Sequence, residues 1–231
     1  MNSMSVSAIV CAFNEEHTLP QVVRALIGAE EVNEVIVIND GSIDGTHAAL
    51  KEFSRHPTVR IIELSHNRGK GFAMAEGILR AESDILLFVD ADLINFDKIY
   101  IPPMLRHILD GKAEMVIGHP TENNVDKKFN PFRQLAGERA VLKKDIQPLV
   151  DDIRNSGYGA EILINMYYAA QQKRVKYVWL WGLLHPITLH KHAPIKAMKI
   201  YLREAYQISR SIMKNYLLLF LIIRNAISRM L

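Results

Sequence analysis

Ile85-Leu86-Leu87-Phe88-Val89 is an unbroken apolar run that stops abruptly at Asp90-Ala91-Asp92. Such a run is typical of a strand that is buried on both faces, as strands of parallel sheets are. Similar runs predict four more strands, at Ser5–Phe13, Glu34–Asn39, Val59–Leu64 and Glu114–Ile117. Amphipathic stretches between the strands predict helices at Leu19–Leu26, Gly45–Phe53, Gly69–Arg80 and Lys98–Leu109. This alternation predicts an α/β fold, with a mostly parallel sheet and helices on both faces.

The pattern changes after Gly118. Residues 119–131 are polar and predict a long mobile loop. A helix is then expected at Phe132–Lys144, followed by a break at Gly157-Tyr158-Gly159. Beyond the break we expect a helix at Ala160–Gln172, a strand at Val175–Leu184 and a helical tail from Pro194. We therefore predict one domain over residues 1–193, with halves at 1–118 and 119–193, and a tail at 194–231.

Composition excludes several classes of protein. The chain has 231 residues, 49% hydrophobic and 23% charged, which excludes disordered and fibrous classes. Its single cysteine, Cys11, cannot form an intramolecular disulfide, and no basic-then-apolar signal pattern is present at Met1. Residues 1–195 carry 21 basic and 24 acidic side chains, so we expect no nucleic-acid partner. These features predict a cytoplasmic location.

Positive charge is concentrated in the tail, where residues 196–231 carry seven basic residues and one acid. Apolar residues recur there at intervals of three and four, which is typical of an amphipathic helix. The predicted stripe consists of Ile208, Ile212, Tyr216, Leu219, Ile223, Ile227 and Met230, with Arg210, Lys214 and Arg224 on the other face. This pattern favours a helix on a membrane surface over residues 208–231. Packing of the same helix on the domain or in a homo-oligomer is the alternative.

Polar residues follow each predicted strand. They are Asn14-Glu15-Glu16, Asn39-Asp40-Gly41-Ser42, Ser65 to Gly71, and Asp90-Ala91-Asp92. Open α/β sheets bind ligands at the carboxyl ends of their strands, so these four loops are expected to converge. Two carboxylates one residue apart in an extended segment point the same way and suit a divalent cation that bridges phosphate oxygens. By itself, the Asp-x-Asp spacing also suits a solvated turn.

In this order the motifs resemble the signature of nucleotide-sugar glycosyltransferases of family 2 with a GT-A fold. The matching segments are Ala12–Glu16, Ile38–Thr46, Asn67–Gly71 and Val89–Asp92. They are similar to those of dolichol- and polyprenyl-phosphate sugar synthases. Gly137-Glu138-Arg139 and Gly157–Glu161 also resemble segments of glucosyl-3-phosphoglycerate synthases. The resemblance implies a donor half at residues 1–118 and an acceptor half at residues 119–193.

The resemblance also implies roles for the donor-side residues. Phe13, Asn14 and Glu15 would border the base and ribose, and Asp40 would accept a ring N–H of uracil or guanine. Asn67, Arg68 and Lys70 would lie beside the diphosphate. Asp92 would bind Mg²⁺ or Mn²⁺ directly, together with Asp90, which would also contact the ribose or sugar. A third ligand is expected late in the chain, at His185, with His190 and His192 as alternatives.

The acceptor-side residues implied by the resemblance are Arg139 and Glu161. Arg139 would bind an acceptor phosphate through its guanidinium group. Glu161 would position or deprotonate an acceptor hydroxyl, although an acidic residue at a helix start is also favourable without any catalytic role. The expected activity is metal-dependent transfer of a hexose from a UDP- or GDP-sugar to a lipid-linked acceptor such as polyprenyl phosphate, at the cytoplasmic face of a membrane.

Three alternatives remain at this point. One is soluble transfer to a small phosphorylated acid such as 3-phosphoglycerate, which Arg139 and Glu161 favour. Another is a non-catalytic protein that binds nucleotide sugars, against which the Asp90/Asp92 pair argues. The third is a nucleotidyltransferase, which would be expected to carry a Gly-rich, Arg-containing loop after its first strand, whereas this chain has Asn14-Glu15-Glu16.

Overall fold

A computed structural model of the protein describes residues 4–121, 137–184 and 205–228. The described residues form one seven-stranded sheet in the order β3-β2-β1-β4-β6-β5-β7. All strands run parallel except β6, which is antiparallel to both β4 and β5. The strands are β1 (Val6–Ala12), β2 (Glu34–Asn39), β3 (Val59–Glu63), β4 (Ile85–Asp90), β5 (Met115–Thr121), β6 (Arg139–Leu142) and β7 (Val175–Trp181).

Helices follow most strands and cover the sheet. They are α1 (Leu19–Ile27), α2 (Thr46–Leu50), α3 (Lys70–Arg80), α4 (Ile101–Leu109), α5 (Lys143–Ile146), α6 (Val150–Arg154), α7 (Ala160–Ala170) and α8 (Tyr216–Ile227). Short 3-10 turns occur at Lys51–Phe53, Lys98–Tyr100, Gln147–Leu149 and Gly157–Gly159. Residues 205–214 are also helical and are separated from α8 by a turn at Asn215.

The inner strands of the sheet are buried on both faces, as the apolar runs predict, whereas the edge strands β3 and β7 are only partly covered. On β2, Val35 and Val37 belong to a core under α1 and α4, while Ile36 and Ile38 belong to a core under α3, α6 and α7. Alternate residues of a strand point to opposite faces, so one apolar strand supplies both cores. The predicted mostly parallel α/β fold is therefore confirmed.

The helix predicted at Phe132–Lys144 is wrong over the four residues of β6. Arg139–Leu142 is a strand that pairs with β4 on one side and β5 on the other. Helix propensity is a weak local preference, and burial between two strands overrides it because every backbone amide there gains a partner. A short helix, α5, begins only at Lys143. Residues 132–136 of the predicted helix, and the predicted loop beyond Thr121, lie outside the described residues.

The tail packs against the domain with one face. Ser211 is buried, Leu218 packs on the core beneath α7, and the Asn225 side chain donates to the Ala170 carbonyl at 3.0 Å. The exposed apolar stripe differs from the predicted one, because Ile208 and Ile212 are half-buried whereas Met213, Leu217 and Phe220 are exposed. No helix within residues 4–121, 137–184 and 205–228 has the length and hydropathy needed to cross a bilayer.

Candidate active site

The loops after β1 and β2 are tied together by side chains that the sequence motifs contain. Asn14 has a left-handed backbone (φ 59), a conformation that asparagine tolerates better than most residues. Its backbone N–H donates to Ser42 Oγ at 2.9 Å, and its Oδ1 accepts from the Ile43 N–H at 2.9 Å. The Glu15 N–H donates to Thr46 Oγ1 at 2.9 Å. Phe13, 41% exposed, therefore lies at the start of a loop that is held rigidly.

Asp40 connects the loop after β2 to the loop that precedes α3. Its two carboxylate oxygens accept from the backbone N–H groups of Arg68 at 2.7 Å and Gly69 at 2.8 Å. Burial raises the pKa of Asp40, and the two N–H donors oppose that shift. Asp40 thus holds in place the loop that contains Asn67 and Arg68, in addition to any contact with a base.

Arg68 lies on an aromatic ring. Its guanidinium carbon is 3.9 Å from the centroid of the Phe72 ring, and that of Arg154 is 4.9 Å from the same ring. Arg154 also donates to Glu76 Oε1 at 2.6 Å. Sequence reasoning missed Arg154, because nothing near it in the chain indicates that α6 packs beside the start of α3.

Lys70 joins the predicted donor and acceptor residues. Its Nζ lies 2.8 Å from Asp90 Oδ1 and 2.7 Å from Glu161 Oε1. Burial disfavours the charged ammonium group, but the two carboxylates outweigh it and raise the pKa of Lys70 well above its ordinary value. The structure therefore brings together three groups from α3, β4 and α7 that are far apart in sequence.

Asp90 is approached closely by the backbone that leads into β6. A Cβ built on Gly137 would overlap the Asp90 carboxylate, so only glycine fits this position without a shift. Steric overlap with Asp90 therefore explains why the first residue of the Gly137-Glu138-Arg139 motif is a glycine. It lets the chain pass directly beside the carboxylate that Lys70 binds.

The carboxylates of Asp90 and Asp92 follow β4 at the edge of the sheet, as predicted, and both residues are half-buried. Within the described ranges, no group of three or more His, Cys, Asp or Glu side chains is arranged to hold a metal ion. The proposed third ligand, His185, and its alternatives His190 and His192 lie outside those ranges. The metal-ligand role of this pair and of His185 stays a prediction.

Arg139 is completely buried in β6. Its Nη1 donates to the backbone carbonyl of Glu161 at 3.2 Å and to Asn165 Oδ1 at 3.2 Å. These contacts hold the first turns of α7, and hence the backbone that carries the Glu161 carboxylate. The phosphate-binding role expected for Arg139 stays a prediction, and the contacts described here are to the protein itself.

The turn before Glu161 is covered by the tail. The Tyr158 N–H donates to Gln207 Oε1 at 2.8 Å, and Ser211 Oγ donates to the Gly159 carbonyl at 3.3 Å. A Cβ on Gly159 would lie 2.5 Å from the Cβ of Ser211, so the helix over residues 205–214 lies directly on the turn. Sequence reasoning missed Gln207 and Ser211, because the tail's periodicity shows an amphipathic helix and not its contact partner.

Comparison with solved structures agrees with the topology. The fold is similar to that of glucosyl-3-phosphoglycerate synthase from Mycobacterium tuberculosis in complex with Mn²⁺, UDP and glucosyl-3-phosphoglycerate, with a TM-score of 0.71 and 20% identity, over 91% of this chain and 79% of that one. A structure of the same enzyme with Mg²⁺ and UDP gives a TM-score of 0.70, also at 20% identity, over 91% of this chain and 79% of that one. The protein therefore has a GT-A fold.

Curated relatives match about two fifths to half of the chain. The dolichyl-phosphate beta-glucosyltransferase of Drosophila melanogaster is 39% identical over 102 residues, 39% of this chain and 31% of the relative. The poly-beta-1,6-N-acetyl-D-glucosamine synthase of Staphylococcus epidermidis is 32% identical over 120 residues, 52% of this chain and 29% of the relative. The chain thus matches less than a third of the length of these relatives. The sequence model of glycosyl transferase family 2 matches residues 7–171, and the chain belongs to that family.

Proposed function

We propose that this protein transfers a hexose from a nucleoside diphosphate sugar to a lipid-linked phosphate such as polyprenyl phosphate, with Mg²⁺ or Mn²⁺ at Asp90 and Asp92. The observation that carries the proposal is the contact of Lys70 with both Asp90 and Glu161. This contact supports the proposal because Asp90, expected on the donor side, and Glu161, expected on the acceptor side, share one ammonium group. The name of the Drosophila relative, a dolichyl-phosphate glucosyltransferase, supports the acceptor class.

The residues at the end of β4 fit a hard divalent cation. Carboxylate oxygens are the ligands that Mg²⁺ and Mn²⁺ prefer, and Asp90 and Asp92 supply two carboxyl groups from one turn. The M. tuberculosis enzyme was crystallised with Mn²⁺ and UDP, which supports the same assignment. A bound cation would neutralise the diphosphate as it leaves the sugar.

Lys70 is suited to stabilise charge on the departing diphosphate. Because its pKa is raised well above the ordinary value, it stays an ammonium group at neutral pH. A fixed cation in a partly buried site stabilises developing negative charge more strongly than one in water. Arg68, held on Phe72 at the same rim, adds a second positive charge.

Glu161 is suited to act on the acceptor side. Its carboxylate is buried and held by Lys70, so its orientation is fixed. For a hydroxyl acceptor it would accept the hydroxyl proton. A phosphate acceptor is already an anionic nucleophile, and then Glu161 serves to orient the Lys70 ammonium group.

A soluble phosphorylated acid is the second candidate acceptor. Structures of the M. tuberculosis synthase contain phosphoglyceric acid, and this chain shares their fold over 91% of its length. Arg139, the arginine of the Gly137-Glu138-Arg139 motif, is enclosed by protein, and this burial does not distinguish a small phosphorylated acid from polyprenyl phosphate.

The test is a turnover assay of the purified chain. UDP- and GDP-sugars would be combined with Mg²⁺ or Mn²⁺ and with polyprenyl phosphate in detergent or with 3-phosphoglycerate, and products would be identified by mass. We expect product from one nucleotide sugar with polyprenyl phosphate, and loss of product with EDTA. Product only with 3-phosphoglycerate would establish the second candidate. Absence of product with either acceptor would contradict the proposal.

Asp92→Asn tests the metal role within the same assay. Turnover should fall by roughly 100-fold or more, because the direct ligand loses its charge. Asp110→Asn is the matched control, since Asp110 is a surface carboxylate paired with Lys112. Equal turnover of the two variants would exclude the proposed ligand, and it would leave a non-catalytic or metal-independent role for this carboxylate.

A further inference from the structure

The inner face of the tail, residues 205–228, packs against the domain. Gln207 and Ser211 contact the Gly157–Gly159 turn, Leu218 packs on the core, and Asn225 caps the last turn of α7. Lys214 adds an ion pair with Asp152 at 3.2 Å. These contacts extend over both helices of the tail, so the tail's long axis follows the surface of the domain and its opposite side faces away from it.

The opposite side, here called the outer face, carries exposed apolar side chains along its whole length. Leu217 and Phe220 are 62% and 61% exposed. Spacings of three and four residues place the exposed apolar side chains in one stripe. The outer face comprises Tyr206, Met213, Tyr216, Leu217, Leu219, Phe220, Ile223 and Ile227, together with Arg210 and Arg224. Exposed apolar stripes of this extent mark an interaction surface.

The charges of the tail indicate which kind of partner the outer face binds. Residues 205–228 contain three basic side chains, Arg210, Lys214 and Arg224, and no acidic one. Lys214 is paired with Asp152, whereas neither Arg210 nor Arg224 has an ion pair within the described part of the chain. In a symmetric dimer through this face the same patch would meet itself, and cations would meet cations without a carboxylate between them. A surface that carries negative charge above an apolar layer suits the face better.

We propose that the outer face binds the surface of an anionic lipid bilayer. The apolar side chains enter the boundary of the acyl region, and Arg210 and Arg224 extend their guanidinium groups to lipid phosphates. Tyr206 and Tyr216 are aromatic residues of the kind that concentrate at membrane interfaces. The inner face lies on the turn that precedes Glu161. Membrane binding would therefore hold the acceptor side of the site near the lipid headgroups. This consequence rests on the proposed function.

The test measures binding of the whole chain to vesicles with no donor or acceptor present, so it is independent of turnover. Vesicles of phosphatidylcholine with phosphatidylglycerol would be compared with vesicles of phosphatidylcholine alone by co-sedimentation. We expect binding to the anionic vesicles at least about tenfold stronger than to the neutral ones, and weaker binding as salt is added. Equal binding to both, or binding to neither, would overturn the proposal.

A charge-matched pair of variants locates the surface. Leu217→Glu with Phe220→Glu places two acids on the outer face, and binding to anionic vesicles should fall by about tenfold or more. Leu79→Glu with Ile99→Glu makes the same change of charge at aliphatic residues that are 54% and 65% exposed elsewhere, and binding should be retained. Equal loss in both double variants would overturn the assignment. Circular dichroism checks that each variant is folded.

Arg210→Gln with Arg224→Gln tests the charged part without adding acids. Binding to anionic vesicles should fall by about tenfold, while the thermal midpoint stays within a degree or so because both side chains are exposed.

Sedimentation velocity without lipid tests whether a second copy of the chain binds the outer face instead. A dimer that Leu217→Glu with Phe220→Glu converts to a monomer would show that a second copy of the chain covers the outer face, and would overturn the proposal.

Discussion

The ammonium group of Lys70 lies between two carboxylates that come from distant parts of the chain. Asp90 is the last residue of β4 and Glu161 lies in the first turn of α7, yet both are within 2.8 Å of Lys70 Nζ. Without the cation, two carboxylates in a partly buried site would repel each other, and each would lose its counter-charge. Lys70 therefore stabilises this pair of carboxylates, and under the proposed function it would also balance the charge that develops during transfer.

Replacement of Lys70 by methionine removes the positive charge but keeps a side chain of similar length, so it tests both roles of the charge. We expect turnover to fall by roughly 100-fold and the free energy of unfolding to fall by about 3 kcal/mol, since a partly buried ion pair loses one partner. Product formation and chemical denaturation measure the two effects. Lys112→Met is the control, because Lys112 pairs with Asp110 at an exposed position. Unchanged turnover in Lys70→Met would contradict the role of the ammonium group.

Glu76 should contribute an acid-sensitive part of the stability. Burial raises the pKa of this carboxyl, but hydrogen bonds from Arg80 and Arg154 outweigh it and lower the pKa below its ordinary value. A carboxyl whose pKa is lower in the folded state stabilises the fold above its unfolded pKa, here about 4.5. That contribution is lost as the pH falls through the folded value.

Glu76→Gln measures this contribution. At pH 7 the variant should be about 1–2 kcal/mol less stable than the wild type, because two charge-assisted hydrogen bonds are weakened. The difference should shrink as the pH falls below about 4.5, where the carboxyl of the unfolded chain begins to protonate, and it should vanish below the lower pKa of the folded chain. Urea denaturation over a pH series gives both numbers. A difference that stays constant from pH 7 to pH 3 would show that the effect is one of packing.

At the scale of elements, prediction succeeded where a pattern is local and failed where pairing is distant. The apolar runs of β1, β2, β4 and β5 could be recognised from the sequence because each strand is buried on both faces, and β3, at the edge of the sheet, still carries a short apolar run. The four residues of β6 carry too little pattern, and only insertion between β4 and β5 makes them a strand. The tail was recognised as amphipathic, but the side that faces solvent depends on the position of α7.

Gly159→Val should loosen the tail without touching a catalytic side chain. Its new Cβ would lie 2.5 Å from Ser211 Cβ, so the helix over residues 205–214 must move away from the turn. Hydrogen exchange of residues 205–214 should become faster by at least about tenfold. Gly28→Ala is the control, because its Cβ would have 3.4 Å to the nearest atom. Ser211→Gly should partly restore protection in the Gly159→Val background, and failure to do so would place the clash elsewhere.

At the scale of the whole molecule, the candidate donor site is built from loops of four strands. Asn14 links the loops of β1 and β2, Asp40 links those of β2 and β3, and Lys70 reaches from α3 to the end of β4. A ligand that contacts all four loops must bind the folded chain and not the unfolded one. Ligand binding should therefore raise the stability of the entire domain.

UDP with Mn²⁺ should raise the thermal midpoint in a concentration-dependent way. At 100 times the dissociation constant the stabilisation is about 2.7 kcal/mol, which corresponds to a shift of a few degrees for a chain of this size. Differential scanning calorimetry with and without EDTA gives the part that depends on metal. Asp92→Asn should remove that part while the ligand-free midpoint changes little. A shift that EDTA leaves intact would contradict the metal role of Asp90 and Asp92.

By itself, the sequence determined the α/β class, the ordered donor motifs and the position of the carboxylate pair at the end of β4, because each depends on residues that are neighbours in the chain. The contact of Lys70 with Glu161, the stacking of Arg154 on Phe72, the strand β6 and the outer face of the tail were decided only by the tertiary structure. Each joins segments that are more than 45 residues apart or depends on what covers them. Packing of the two cores sets those distances, and no local pattern encodes them.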